Sequence, residues 1–416
     1  MSGTFSSCFT DQAVDRATLR ERAYNYRWAE QSEDVIPLTA ADPDFSLAPP
    51  IRKALESYLS LGSLAYGPAL GLPRFREEVA RDLCRGGVPA HSHQVLATDG
   101  AASAMFLVAK AILNPGDEAI IFDPVDFLFE RSVCSAGAIP LRVPFSREDG
   151  LDLDRLGTLA SRPKVKMIAI CAPHNPYGRL LKSEEISHVA ELASQYGLSI
   201  LSDEVWGKIT YDHPQPHSAA HPLAASRTFT VGGFSKSFGL AGLRIGFIHA
   251  PSQTAFQRLV EASTLNDTAF GASTLSQIAA ISGLTECTEW FAAFIAHLKQ
   301  ARSLMYTRLN RLQGLSCEAP EATYLMSPEI IKQDWIKGLN SEQLCAAILE
   351  HAKVAVVPGS PRFFGAGAEG LIRLSFATSL GIIDEAMDRM ESAWPKIRET
   401  LNQDSSVQPS SSAVKS

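Results

Sequence analysis

The chain has 416 residues, 45% hydrophobic and 20% charged, with 38 Lys and Arg against 45 Asp and Glu and a formal net charge of −7. That length and composition fit two or three globular domains around a sizeable core and exclude an intrinsically disordered or fibrous chain. The mildly acidic balance gives no electrostatic ground for nucleic acid or an anionic membrane as partner, no apolar run nears the roughly 20 residues of a membrane span, and the polar residues 1 to 10 carry no basic-then-apolar leader.

In chain order, residues 1 to about 35 are polar and charged, with Trp28 the main apolar anchor, and are expected to form an arm packed on the rest. Helices are expected at 74 to 83, 101 to 113 and 183 to 196, the last bounded by Ser183-Glu184-Glu185 and stopped by Gly197. Buried strands are expected at 118 to 122 (EAIIF), 166 to 171 (KMIAIC), 198 to 202 (LSILS) and 228 to 231. Strand–helix alternation of this kind predicts an α/β fold with a mainly parallel sheet covered on both faces. After about residue 285 a long helix (roughly 286 to 312) precedes short strands at 322 to 326, 353 to 357 and 371 to 376, the pattern of a smaller α+β domain. The expected division is an N-terminal arm at 1–45 packing on the small domain, a large domain at 46–285, a small C-terminal domain at 286–401 and a Ser-rich disordered tail at 402–416. The 7 cysteines are odd in number and form no C-x-x-C pair, which predicts reduced thiols in a cytoplasmic compartment.

Residues 232 to 247 read GGFSKSFGLAGLRIGF. A lysine in such a turn can be a plain surface residue. An arginine within an apolar run needs an anionic partner, because an unpaired buried charge is costly. A lysine and an arginine converging on a phosphorylated aldehyde would satisfy both, the one by a Schiff base and the other by a bidentate grip on phosphate.

The stretch resembles the lysine motif of fold type I pyridoxal-phosphate enzymes, the class I/II aminotransferase superfamily, with S-K, a Gly-rich stretch and R-x-G. The resemblance covers roughly residues 36 to 380 and implies pyridoxal 5′-phosphate as cofactor. Lys236 is then the Schiff-base lysine, Arg244, eight residues on, a phosphate ligand, and Ser235 another; Gly233 stands where the family often has a further hydroxyl. CAPHNPYG at 171 to 178 is similar to the family's N-P-x-G turn, which makes Asn175 a hydrogen-bond donor to the cofactor's ring oxygen. Asp203, in SDEVW, would pair with the pyridinium nitrogen and keep the ring an electron acceptor. Alone, each of these is a common turn or strand-end residue; in this order and at these gaps they form one pattern.

In ATDGAASAMF the backbone of Gly100, Ala101 and Ala102 would hold the phosphate at a helix start; a simple helix capped by Asp99 reads the same residues equally well. Tyr66 matches the tyrosine that reaches the phosphate of a neighbouring subunit, which implies a homodimer with shared sites. LTAADPDF resembles an early turn whose backbone N–H, here at Ala41, meets the substrate carboxylate. Arg373, in LIRLS, matches the arginine that binds the α-carboxylate by a charge-assisted fork.

Two departures stand out. Trp206 occupies the place of a ring-oxygen tyrosine, leaving that bond to Asn175. Asp126 aligns with the aromatic that stacks on the cofactor, with Phe127 one residue late and expected to take that part.

Several patterns are set aside. Gly365-x-Gly367-x-x-Gly370 precedes a strand, the wrong context for a dinucleotide site. His213, His217 and His221 are interrupted by prolines and read as a polar loop, so no metal site is expected. No basic residue stands out as a clamp for a second carboxylate, so acidic substrates are not favoured. The expectation is a cytoplasmic enzyme moving an amino group from an L-amino acid to a 2-oxo acid. The alternatives are a C–S β-lyase of the same fold, favoured by RWAEQSEDVIPLTAADPDF and the non-tyrosine at 206, and a non-catalytic pyridoxal-phosphate-binding regulator.

Overall fold

The computed structural model describes residues 5–265, 267, 271–331, 335 and 339–404. Its centre is an eight-stranded sheet in the order Val95–Thr98, Gly246–His249, Thr228–Gly233, Ser199–Asp203, Val165–Cys171, Glu118–Asp123, Ile139–Ser146, Gly150–Leu151. The middle pairs are parallel, and Gly246–His249 runs against both of its neighbours. Four of these strands lie in unbroken buried runs, Val165–Cys171 apart from Lys166, as strands covered on both faces must. The strands and helices expected before residue 285 are present within a residue or two; of the later ones, the strand expected at 322 to 326 is only Leu325–Met326 and that at 353 to 357 is divided into Val354–Ala355 and Val357–Pro358. Helix Pro73–Arg85 starts on its proline, whose missing N–H costs nothing there, and Ser183–Tyr196 stops at Gly197 in the left-handed region (φ 68°).

The expected long helix at 286 to 312 is present as Thr288–Leu309, and Thr274–Glu286, a helix not expected from the sequence, precedes it. Thr274–Glu286 and Thr288–Leu309 meet at Cys287 (φ −105°, ψ 18°) with a bend of 82°. The bend turns Trp290, Phe294 and His297 toward the N-terminal Phe9, whose ring lies 5.3 to 5.9 Å from theirs. The Ser-rich tail was expected from residue 402, but helix Leu380–Asp404 runs through that point, and residues 405–416 lie outside the described residues. All seven cysteines are free thiols. No single helix among the described residues is long and apolar enough to cross a membrane.

The two chain ends meet. Ile36–Pro37 pairs in parallel with Val354–Ala355, and Asp44 N–H donates to Ala377 O at 2.9 Å. The arm before it is latched by charge. Arg27 is 4% exposed and donates to Asp42 at 2.7 Å and to Asp44. Trp28, 1% exposed, donates from Nε1 to the same Asp44 oxygen at 2.9 Å. Removing one partner of such a buried pair leaves the other's charge desolvated and unmatched. Arg27→Met is therefore expected to lower the unfolding free energy by about 3–5 kcal/mol. Arg52→Ala, which breaks an exposed pair with Glu56, should cost less than about 1 kcal/mol. Urea unfolding of both variants measures the contrast.

Candidate active site

Parallel strands deliver their C-terminal ends to one edge of the sheet, and loops leaving that edge carry the chemistry. Glu118–Asp123 leads to Asp126, Val165–Cys171 to Asn175, Ser199–Asp203 ends on Asp203, Thr228–Gly233 leads to Lys236, and Val95–Thr98 to Gly100. Arg244 reaches the same edge from the other direction: it precedes Gly246–His249, which runs antiparallel, and Gly246 pairs with both Thr98 and Gly233. Three further residues come from outside the sheet. Ala41 and Thr39 follow the N-terminal strand, and Arg373 lies in Ile372–Ser375 of a three-stranded antiparallel sheet.

These elements enclose a cavity of about 750 Å³. Ala41, Ala101, Ala102, Asp126, Phe127, Asn175, Asp203, Trp206, Ser235, Lys236, Arg244 and Arg373 all line it. Lys236 Nζ donates to Ala41 O at 2.6 Å and lies 5.5 Å from the Trp206 ring centre. Ala41 thus turns its carbonyl to the lysine, and Tyr324 Oη donates to the same oxygen at 3.1 Å. Burial lowers the Lys236 ammonium to about 8, against the pull of Asp42, Asp126 and Asp203. Asp203 is 7% exposed; burial raises it to about 7, and its carboxylate accepts from Val205 N–H at 3.1 Å. Behind it Glu204 accepts from Ser202 Oγ at 2.8 Å and pairs with His217, so that histidine belongs to a buried network and not to a solvated loop.

Arg373 is 8% exposed and donates to Asn175 Oδ1 at 3.2 Å and Thr39 O at 3.3 Å, with Nε unsatisfied among the described residues. Burial lowers it to about 10. Asn175 in turn donates to Asp126 Oδ2 at 3.1 Å. Asp126 also caps helix Phe127–Ser135 by accepting from Leu128 N–H at 3.1 Å. Asp126 and Phe127 both line the cavity, and the Arg131 guanidinium lies 4.7 Å from the Phe127 ring centre.

The residues present fit a phosphorylated aldehyde. Arg244 is exposed, unlike the buried arginine its apolar flanks suggested, and among the described residues donates only to carbonyls, Ala241 O at 3.3 Å and Asp99 O at 3.5 Å. It faces the start of helix Ala101–Ile112, which has no side-chain cap. There Gly100 (φ 93°) and Gly246 are obligatory: a Cβ on Gly100 would lie 2.9 Å from Arg244 Nη2, and one on Gly246 2.7 Å from Gly100 C. Free helical N–H groups beside an arginine without a counter-anion make an anion cradle. Asp203, a buried carboxylate with no cation bonded to it, suits a ring nitrogen. Tyr66 is 83% exposed and does not line its own chain's cavity.

Tyr324, Arg27 and Asp42 escaped the sequence reading. Asp42 lies inside the quoted LTAADPDF, but nothing in its neighbours tells that it pairs with Arg27 across the loop; Tyr324 has no motif at all.

Comparison with known proteins shows the family. Residues 33–390 match the model of the family "Aminotransferase class I and II". The putative aminotransferase YugH of Bacillus subtilis is 34% identical over 368 residues, covering 87% of this chain and 92% of that one. An aspartate aminotransferase of Pyrococcus abyssi is 34% identical over 366 residues, 86% and 91% of the two chains. Among solved structures, an aromatic aminotransferase from Pyrococcus horikoshii superposes with a TM-score of 0.80 at 32% identity, covering 88% of this chain and 97% of that one.

In the cofactor-free protein, acylation of Lys236 should rise with pH to a midpoint of about 8, where an exposed lysine gives about 10.4. Asp42→Asn removes an anion that favours the ammonium, so it should move the midpoint lower still. Peptide-resolved labelling across pH measures both.

Proposed function

Because this chain belongs to the class I and II aminotransferases and is a pyridoxal-phosphate-dependent enzyme, we propose that the cavity residues just described divide the transfer of an amino group from an L-amino acid to a 2-oxo acid among them. When bound, pyridoxal 5′-phosphate carries the amino group between the substrates and withdraws electrons from the Cα–H bond. The observation that carries the proposal is that one cavity holds Lys236, Asp203, Asn175 and Arg373 together.

Lys236 holds the cofactor and, once displaced by the substrate amine, serves as the base and acid that moves the Cα proton. Its ammonium titrates near 8, close to the working range a proton carrier needs. Asp203 supplies the counter-charge for the ring nitrogen. Asn175 has Oδ1 committed to Arg373 and one Nδ2 hydrogen to Asp126, which fixes the amide and leaves one N–H for the cofactor's ring oxygen. Ser235, Arg244 and the backbone of Gly100, Ala101 and Ala102 hold the phosphate. Trp206 and Phe127 bound the ring, Arg373 takes the substrate α-carboxylate, and Ala41 borders the same subsite.

The wider organisation follows. An arm at 1–45 packs on a small domain at 286–401, beside a large cofactor domain at 46–285. Tyr66, exposed on its own chain, reaches the site of a second copy in a homodimer. The free thiols support a cytoplasmic location. The partners are small amino and 2-oxo acids, with no role for nucleic acid or membrane.

An amino donor alone should release one equivalent of its 2-oxo acid per site and no ammonia, and a different 2-oxo acid should then be aminated. Stoichiometric ammonia from a cysteine conjugate would identify a β-lyase instead. Arg373→Lys keeps the charge and loses the planar fork, so kcat/KM should fall about ten- to a hundredfold while cofactor affinity holds. Saturation kinetics beside a cofactor titration separates the two effects.

A further inference from the structure

The buried guanidinium of Arg373 is bonded to neutral oxygens, Asn175 Oδ1 at 3.2 Å and Thr39 O at 3.3 Å, and its Nε is unsatisfied among the described residues. One more group meets it. Its central carbon lies 5.0 Å from the ring centre of Phe364. A ring face is the negative end of the aromatic quadrupole and attracts a desolvated cation. Arg373 lines the cavity, whereas Phe364, 2% exposed, does not.

The ring is held in place from several directions. Arg373 stands opposite Val357 in the three-stranded sheet, and the chain between them leaves that sheet and returns to it. On the way Phe364 joins the apolar cluster of Phe122, Ile168 and Ile170 from the eight-stranded sheet. Its backbone is tied to the loop that follows Glu118–Asp123: Val125 N–H donates to Phe364 O at 2.8 Å, and Phe127 N–H to Phe363 O at 2.9 Å. Phe364 N–H donates to Ser360 O at 3.0 Å. Gly365 (φ 94°) follows, where a Cβ would lie 2.3 Å from Asp123 Oδ1 and 2.4 Å from Arg142 Nη1. Gly367 N–H then donates to Asp123 Oδ1 at 3.1 Å. An ordinary core phenylalanine is placed by packing. Here backbone hydrogen bonds and a turn open only to glycine fix one ring against one guanidinium.

We propose that Phe364 is a positioning residue for substrate binding: its ring face holds the Arg373 guanidinium in the orientation that forks onto the α-carboxylate. A guanidinium held in advance loses less rotamer freedom when the anion arrives. The inference rests on the role proposed for Arg373 and names the group through which that role is set.

The test uses the holoenzyme. Difluoro- and pentafluorophenylalanine placed at position 364 keep the ring's shape and withdraw the electron density that attracts a cation. KM for the amino donor should rise in steps along the series, reaching about tenfold with the pentafluoro ring, because a desolvated cation–ring contact is worth about that much. The kcat should stay within about twofold, since the carboxylate is held alike in ground and transition states. Butyrate, which has a carboxylate and no amino group, should lose affinity in the same steps by calorimetry. Urea-unfolding midpoints should not follow the series. Phe364→Leu keeps an apolar side chain without a ring face and should match the pentafluoro protein in KM. Flat KM and butyrate affinity along the series, or losses that track the unfolding midpoint, would show that the ring only packs. Arg373→Lys separates the two layers. If it weakens butyrate while the fluorinated series does not, only the platform has failed; if it leaves butyrate unchanged, the assignment of Arg373 to the carboxylate has failed and the platform with it. If no donor yields a 2-oxo acid, the aminotransferase reading has failed, and the butyrate series still decides the platform.

Discussion

Lys236, Asp203, Asp126 and Arg373 face one cavity, and burial is the leading influence on the titration of all four. It pushes the lysine and arginine down and both aspartates up, toward the neutral forms. Each charge alone would be strongly unfavourable in such a place. Together they moderate one another, since Arg373 lowers Asp126 and the carboxylates raise Lys236. The balance is incomplete, with Arg373 Nε unsatisfied and Asp203 lacking a bonded cation. On the proposed reading, a zwitterionic substrate and an anionic, cationic-ringed cofactor would complete that unmet polarity.

The fold supplies the rigidity this arrangement requires. Strands buried on both faces cannot shift without exposing apolar area, so their C-terminal ends hold Asn175, Asp203 and Lys236 at fixed separations. The antiparallel strand Gly246–His249 is inserted beside Thr228–Gly233, which brings Arg244 to the same edge as Gly100. Gly100 and Gly246 allow the backbones to meet there, because neither could carry a side chain.

The arm adds a second constraint. Arg27 and Trp28 converge on Asp44, and Arg27 also holds Asp42. Between those acids and Thr39 lies Ala41, whose carbonyl receives both Lys236 and Tyr324. A latch in the first 45 residues therefore sets the position of groups that touch Lys236. Thr39 O, bonded by Arg373, links the same loop to the C-terminal strand, so the two chain ends and the sheet edge share one hydrogen-bonded boundary.

The alternation of β-branched runs with amphipathic stretches determined the α/β class, and the parallel strands follow from runs apolar without alternation. The set Asn175, Asp203, Lys236, Arg244 and Arg373 was also legible, but through its resemblance to a family pattern in that order and at those gaps, since alone each but Arg373 is a common turn or strand-end residue. Local signals failed where partners are remote. Nothing near Cys287 announces the bend, which arises because the second helix turns its aromatic face to Phe9. Nothing near Asp126 distinguishes a helix cap from a cavity carboxylate, and both are true of it. Arg27 finds Asp42 and Asp44, and Phe127 finds Phe363, only after the chain ends and the sheet edge have come together. A sequence carries the preference of each residue for burial or charge; which charge neutralises which is decided by a distance, and distances exist only in the folded chain.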